Sequence, residues 1–219
     1  MAAHPTLVTH KLTKQRVATE QEKGDLISAI QKGDITSVTK LIKTQSDLLN
    51  SALDAYGNAA LYFAIEARKT DIITLLVENG APVNATYKDG ETPLHIAIQY
   101  GNMKAIALFV DKGAEINTPT KYGGTPLYFA IQFRNIQAIS LLLQNNADIN
   151  MPDRNGETPS ELAAHLPEIA TLIENHKKAR LMWQFWEMET PIYNSHSQWL
   201  PRELLEDVNA LITTPASKK

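Results

Sequence analysis

Four glycines recur along the chain at a constant spacing of 33 residues: Gly57, Gly90, Gly123 and Gly156. Three further sets keep the same spacing, each with its own residue type: Leu61, Leu94 and Leu127; Ala64, Ala97, Ala130 and Ala163; Asn84, Asn117 and Asn150. Unrelated residue types that share one register indicate a repeated structural unit. A chain of such units stacks them side by side and buries a continuous layered core, instead of folding around one central core.

Each repeat carries the residues of a turn followed by two helices. A Thr-Pro pair follows the phased glycine in three repeats, at Thr92-Pro93, Thr125-Pro126 and Thr158-Pro159. Threonine is a favourable helix N-cap, and proline suits the first helical position because it has no N–H to leave unpaired there. We therefore predict a short first helix that begins at each proline. A second, apolar helix follows in each repeat, and we expect it to end at a left-handed residue: Gly80, Gly113 or Asn146.

Three segments share the pattern of glycine, threonine, proline and alanine in one order. They are Asp89-Gly-Glu-Thr-Pro-Leu-His-Ile-Ala97, the segment 123–130 and the segment 155–163. This pattern and its period resemble those of the ankyrin-repeat family. The resemblance implies an all-α solenoid of helix-turn-helix units with β-hairpin loops, followed here by C-terminal capping helices. It also implies that His95, at the histidine of the motif, has a structural role in bonding successive turns.

The register divides the chain into a flexible, basic N-terminal tail (1–21), a repeat domain (22–176) and a C-terminal helical extension (177–219). We count five repeats: an N-terminal cap repeat at 22–50, three repeats at 54–85, 87–118 and 120–151, and a truncated last repeat at 153–176. The repeat at 54–85 has Ala59-Ala60 where the others have Thr-Pro. We expect its first helix to lack about 1 kcal/mol of capping free energy for this reason.

The extension holds all three tryptophans of the chain, Trp183, Trp186 and Trp199. One interpretation is that they cover the apolar edge of the last repeat as a cap, and the other is that they form an interface with a partner. The segment 199–212 resembles the opening of an F-box, which would make the protein a substrate adaptor for a ubiquitin ligase. A terminal amphipathic helix packed on the tryptophan helix explains the same residues.

Composition and motifs argue against chemistry on this chain. The chain has no cysteine, which excludes disulfides and a thiolate nucleophile, and we find no nucleophile elbow, phosphate-binding loop or metal-ligand spacing. We therefore expect no enzymatic activity, no cofactor and no metal. The net charge of −3 argues against nucleic acid as a partner. Since segments 1–21 and 177–219 carry +2 and +1, the repeats hold −6, which favours a protein partner with a basic or mixed surface.

The sequence has neither a membrane-spanning apolar stretch nor a secretory signal, so we expect a location in the cytoplasm. We also expect the protein to be a monomer. The resemblance implies a scaffold or regulatory module for protein-protein interaction. Compact proteins of this kind resemble some bacterial effectors, for which the location would be the host cytoplasm.

In the ankyrin family, partner-binding positions flank the turn glycine and lie late in the first helix. Carried over to this chain, the candidates are Tyr56, Lys88, Asp89, Tyr100, Lys121, Tyr122, Phe133 and Arg154. The four aromatic residues among them have the usual profile of binding hot spots, since they supply a large contact area at a low cost in entropy. Tyr100 and Phe133 have a second interpretation, in which they stack against adjacent repeats.

Overall fold

The computed structural model describes residues 17–189, with side chains as far as residue 182. The chain forms two compact units, divided between Pro159 and Ser160. Eleven helices lie in the described residues: α1 (Glu20–Lys32), α2 (Ile35–Thr44), α3 (Asp47–Asn50), α4 (Ala60–Glu66), α5 (Thr70–Glu78), α6 (Pro93–Gln99), α7 (Met103–Asp111), α8 (Pro126–Gln132), α9 (Ile136–Gln144), α10 (Pro159–Ala164) and α11 (Pro167–Glu189). The all-α prediction is confirmed.

The first unit is a stack of helix pairs. Within each repeat the two helices contact each other: α1 with α2, α4 with α5, α6 with α7, and α8 with α9. The first helices α1, α4, α6 and α8 also contact one another in order, as do the second helices α2, α5, α7 and α9. The result is two parallel layers of helices, with the turns between repeats at one edge.

Local chemistry places the helix ends where the sequence predicts them. Helices α6, α8 and α10 begin at the prolines of the Thr-Pro pairs. The Tyr128 N–H donates to the Thr125 hydroxyl at 3.2 Å, as expected of an N-cap. Ala59 precedes α4 and makes no side-chain capping bond, so that helix begins without the cap that Thr125 gives to α8. The second helices end at residues with positive φ, namely Gly80, Gly113 and Asn146.

The turn between the two helices of a repeat also needs a left-handed residue. Gly101 supplies it in one repeat with φ of 64°, but Arg68 and Arg134 occupy the same position with φ of 54° and 53°. A side chain there is strained because its Cβ crowds the neighbouring carbonyl oxygen. The fold therefore imposes this conformation on two arginines.

The first helix begins at Glu20, slightly before the predicted boundary at 21/22. A capping box explains the earlier start: the Glu22 N–H donates to the Thr19 hydroxyl at 3.3 Å, and the Thr19 N–H donates to the Glu22 carboxylate at 2.8 Å. The expectation of a flexible tail otherwise concerns residues 1–16, which lie outside the described residues.

The core of the first unit runs along the stack in register. Leu61, Leu94 and Leu127 are buried, and the alanines Ala64, Ala97 and Ala130 are fully buried. Burial of a leucine side chain stabilises a fold by about 2 kcal/mol. Since the same positions are buried in each repeat, each repeat is stabilised mainly by its contacts with the neighbouring repeats.

The turns between repeats contain no β-strand within residues 17–189, although we expected β-hairpins there. Single backbone bonds close them, such as Tyr87 N–H to Glu91 at 2.9 Å and Thr120 N–H to Gly124 at 3.0 Å. A loop this short, closed by one backbone bond, has too few residues to form a ladder of β-sheet hydrogen bonds. We call these loops hairpins.

In the second unit, α11 continues across the predicted boundary at 176/177 without a break. The residues around Lys177 include no glycine or asparagine in a left-handed conformation, so nothing ends the helix there. Ile169 and Ile173 are buried, whereas Leu181 is 65% exposed. Trp183 and Trp186 lie on α11, but their side chains are outside the described residues, as are Trp199 and the F-box-like segment 199–212. The predictions of a cap, a tail interface and a ligase adaptor remain predictions.

Candidate partner-binding surface

The hairpin turns are held by polar side chains that bond to their own backbone. In the first complete repeat the Asp54 carboxylate accepts from the Tyr56 and Asn58 N–H groups, both at 2.9 Å. Asp153 makes the same pair of bonds three repeats later, at 2.8 and 2.9 Å. These bonds satisfy the carboxylates and fix the conformation of the turn.

Backbone bonds also join successive hairpins. The Lys121 N–H donates to the Asp89 carbonyl at 2.8 Å, and the Arg154 N–H donates to the Tyr122 carbonyl at the same distance. The approach is close at Gly123, where φ is 82° and an added Cβ would lie 2.7 Å from the Arg154 nitrogen. Only glycine permits this close approach. Because backbone bonds join them, the last hairpins form one continuous edge.

We call the outward side chains of this edge the tip row: Tyr56, Lys88, Asp89, Lys121, Tyr122 and Arg154. Two aromatic–cation pairs organise it. The Lys88 Nζ lies 4.8 Å from the centroid of the Tyr56 ring, and the Arg154 Cζ lies 5.7 Å from that of Tyr122. Each cation comes from the repeat that follows its tyrosine. At exposed sites such pairs contribute about 0.5–1 kcal/mol and hold both side chains in place.

The tip row is accessible to a partner. Tyr56 is 61% exposed and Tyr122 is 53% exposed, although both are large aromatic side chains. Lys88, Lys121 and Arg154 are exposed, and Asp89 is half-buried. The structure therefore brings six of the eight predicted binding residues together on one edge.

The other two predicted residues, Tyr100 and Phe133, lie at the ends of first helices. The Tyr100 hydroxyl donates to Glu66 of the preceding repeat at 3.4 Å, and its side chain is half-buried. Phe133 is 47% exposed, and its ring centroid lies 6.2 Å from that of Phe129 in its own repeat. Tyr100 thus contacts the adjacent repeat, whereas Phe133 leaves about half of its surface available.

The predicted set omits two tyrosines of the first helices, Tyr62 and Tyr128. Both are half-buried, and the Tyr128 hydroxyl donates to Glu157 at 3.0 Å. Burial, followed by this bond to Glu157, raises the pKa of Tyr128 to about 12. The 33-residue register could have found both, because they occupy the position of His95 in their repeats.

His95 is fully buried and bonds to the turns on both sides. Its Nδ1 accepts from the Thr92 N–H at 3.1 Å, and its Nε2 lies 3.2 Å from the Gly124 carbonyl in the next hairpin. Burial lowers the pKa of His95 to about 4, although the bond to Gly124 opposes this change. The neutral ring thus connects two repeats, which confirms the structural role that the resemblance implies.

Carboxylates lie beside the first-helix tyrosines. Glu91 is half-buried, and burial, followed by the nearby Asp89 charge, raises the pKa of its carboxyl. Burial, followed by the Glu66 charge, likewise raises the pKa of Tyr100. Acids therefore lie near the first-helix tyrosines, whereas the tip row presents tyrosines and three cations with one acid, Asp89.

The described part of the chain contains no group of three or more histidine, aspartate or glutamate side chains that could hold a metal ion. In the same ranges, no helix is both long and apolar enough to cross a membrane.

The ankyrin-repeat family model (three copies) matches residues 26–120 and 79–153, which together exceed half of the chain. A curated protein of the mouse, the 2-5A-dependent ribonuclease, is 37% identical over 79 residues. That match covers 36% of this chain and only 10% of the mouse protein. Together with the stacked helix pairs and the bonded hairpins, the family match identifies the repeats: the chain belongs to the ankyrin-repeat family.

Proposed function

We propose that this protein is a non-enzymatic module that binds a protein partner through its hairpins and first helices. The observation that carries the proposal is the exposure of Tyr56, Tyr122 and Phe133 on one series of turns and helix ends. Large aromatic side chains left half-exposed in a folded unit gain little from the fold. They are the side chains that most often dominate protein-protein interfaces.

The relative supports no catalytic assignment. The shared 79 residues are a tenth of the mouse ribonuclease, and they match a stretch about as long as two repeats. Nuclease activity is therefore not transferred to this chain. We propose that the protein acts as a monomeric scaffold or regulator in the cytoplasm, including a host cytoplasm if it is an effector.

Paired substitutions on two surfaces test the proposal. Tyr122→Ala with Phe133→Ala removes two aromatic side chains from the proposed surface. As a control, Val17→Ala with Ile35→Ala removes two apolar side chains that are 82% and 43% exposed elsewhere in the first unit. Tagged proteins are used to capture partners from a cell lysate, and captured proteins are quantified by mass spectrometry.

The proposal predicts a loss of capture for the first variant and no change for the control. Loss of two hot-spot side chains costs about 2–4 kcal/mol of binding free energy, so capture of partners should fall at least tenfold. The control pair should capture as much as the wild type, and circular dichroism should show equal helix content in all three. Equal capture by the Tyr122/Phe133 variant would refute the proposed surface.

A further inference from the structure

The tip row concentrates positive charge on a repeat domain that is acidic as a whole. Lys88, Lys121 and Arg154 occupy the same position in three successive repeats, two residues before the phased glycine. All three side chains are exposed. The net charge of the repeats is negative, so this row is a local reversal of sign.

The three cations are held in place without neutralisation. Lys88 and Arg154 lie over the tyrosine rings of the preceding hairpins, and the Lys121 Nζ donates to the Lys88 carbonyl. Among the residues whose side chains are described, none of the three lies within ion-pair distance of a carboxylate. An aromatic face and a carbonyl oxygen orient a cation but leave its full charge available to a partner.

Three acids beside the hairpins are bonded within the fold. Asp54 and Asp153 each accept two N–H groups of their own turns, and Glu157 accepts the Tyr128 hydroxyl. These three carboxylates keep their negative charge, but their side chains are half-buried against their own turns, whereas Lys88, Lys121 and Arg154 are exposed. The outward face of the hairpins therefore combines three cations and two aromatic rings with one carboxylate, Asp89.

We propose, on the basis of the protein-binding function above, that the tip row binds an acidic, extended segment of the partner protein. Carboxylates of that segment pair with Lys88, Lys121 and Arg154, and its apolar side chains pack on Tyr56 and Tyr122. Because the cations are already oriented, pairing costs less side-chain entropy than it would for free lysines.

A protein segment fits this surface better than a nucleic acid does. Asp89 interrupts the row of cations, Glu91 follows it in the same hairpin, and Glu66 is the last residue of α4. A polyphosphate backbone would meet these carboxylates at close range, because its charges are evenly spaced and cannot be omitted. A peptide can place neutral or basic side chains at those points.

The experiment selects peptides with three forms of the full chain. A random-peptide phage library is panned on the wild type, on Lys88→Gln/Lys121→Gln/Arg154→Gln, and on Lys40→Gln/Lys104→Gln/Lys112→Gln. The last variant is a matched control, since it removes the same charge from exposed lysines of α2, α7 and the α7 C-terminus. The affinity of the most enriched peptide is then measured by fluorescence polarisation at low and high salt, beside a single-stranded oligothymidylate.

The expected result is enrichment of aspartate and glutamate next to apolar residues on the wild type and on the control. The tip-row variant should lose this bias, and the selected peptide should bind it about tenfold more weakly at low salt, with a smaller difference at high salt. Absence of enrichment, or enrichment without an acidic bias, would overturn the inference. The inference would also be overturned if the wild type bound the oligothymidylate more tightly than the selected peptide and the tip-row variant lost that binding.

The same selection separates this inference from the proposed function. Neutral peptides that still require Tyr122 and Phe133, but not the three cations, would leave the protein-binding surface in place and overturn only the acidic partner. Peptides that require the cations, and are unaffected by Tyr122→Ala with Phe133→Ala, would support the acidic partner and refute the placement of the aromatic surface.

Discussion

Gly57 and Gly123 provide a matched test of how the hairpins hold the stack together. They occupy the same position in different repeats, and their φ angles are nearly equal, 83° and 82°. Their surroundings differ. A Cβ on Gly57 would meet nothing within 4 Å, whereas a Cβ on Gly123 would lie 2.7 Å from the Arg154 nitrogen and 2.8 Å from the Asp153 Cα and carbonyl carbon.

The effect of Gly57→Ala on the free energy of unfolding therefore reports only the cost of the left-handed backbone conformation. A left-handed conformation costs an alanine about 1–2 kcal/mol. The substitution recovers about 0.5–1 kcal/mol because alanine loses less conformational entropy on folding than glycine does. The free energy of unfolding should fall by about 1 kcal/mol.

Gly123→Ala adds a clash to the same backbone term. The obstructing atoms belong to the backbone of the next hairpin, so no side chain can rotate away from the new methyl group. Forcing the two hairpins apart costs about 1–3 kcal/mol of packing, and loss of the bond from the Arg154 N–H to the Tyr122 carbonyl costs about 1 kcal/mol more. The total loss should be about 3–5 kcal/mol.

Urea unfolding followed by far-ultraviolet circular dichroism measures both variants. We expect the midpoint to fall much further for Gly123→Ala than for Gly57→Ala. Gly90→Ala should be intermediate, because its Cβ would lie 3.0 Å from the Lys121 nitrogen. If Gly57→Ala and Gly123→Ala lose the same free energy of unfolding, contact between hairpins contributes no stability. A larger loss for Gly57→Ala than for Gly123→Ala would contradict the geometry.

Substitutions at three further positions have effects on stability whose sign the structure predicts. Arg134→Gly relieves the left-handed strain that Gly101 avoids in its own repeat, so it should raise the free energy of unfolding by about 0.5–1 kcal/mol, whereas Arg134→Ala, which loses the same charge, should not. Ala59→Thr adds the cap that Thr125 provides to α8, and thermal melting should show a gain of about 1 kcal/mol. His95 has a pKa of about 4 when folded and about 6.5 when unfolded, so its contribution to stability is complete above pH 6.5 and is lost as the pH falls towards 4. The wild type should therefore lose about 3 kcal/mol more than His95→Gln between pH 7 and pH 4, and parallel pH profiles would refute the buried neutral ring.

Helix starts were predictable wherever the determinant is local. A Thr-Pro pair sets the N-cap and the first dihedral angle within two residues, so α6, α8 and α10 begin at the expected prolines. The predicted boundary between the last repeat and the extension, at 176/177, lies within α11. It follows from the end of the 33-residue period, and no helix-ending residue marks it in the sequence.

Position in the repeat determines a backbone conformation that residue type alone argues against. Arg68 and Arg134 stand at the position of Gly101, and all three adopt positive φ. An isolated arginine has no preference for this conformation. The stacked helices on either side determine the turn, and the arginines accept about 1–2 kcal/mol of strain each because the packing exceeds it.

The aromatic–cation pairs were beyond sequence reasoning, since each joins residues of two hairpins. Tyr56 and Lys88 were both candidates, but only the stacked hairpins show that one lies over the other. The same geometry changes the meaning of the net charge. The repeats sum to −6, which alone indicates a basic or mixed partner, yet turn bonds engage Asp54 and Asp153 while the cations of the tip row stay outward. A docked partner interacts mainly with the charges close to it and much less with the net charge of the whole domain, because screening limits exposed charges to a range of about 10 Å. The sign of the hairpin edge therefore predicts the charge of the docked segment better than the sign of the domain does.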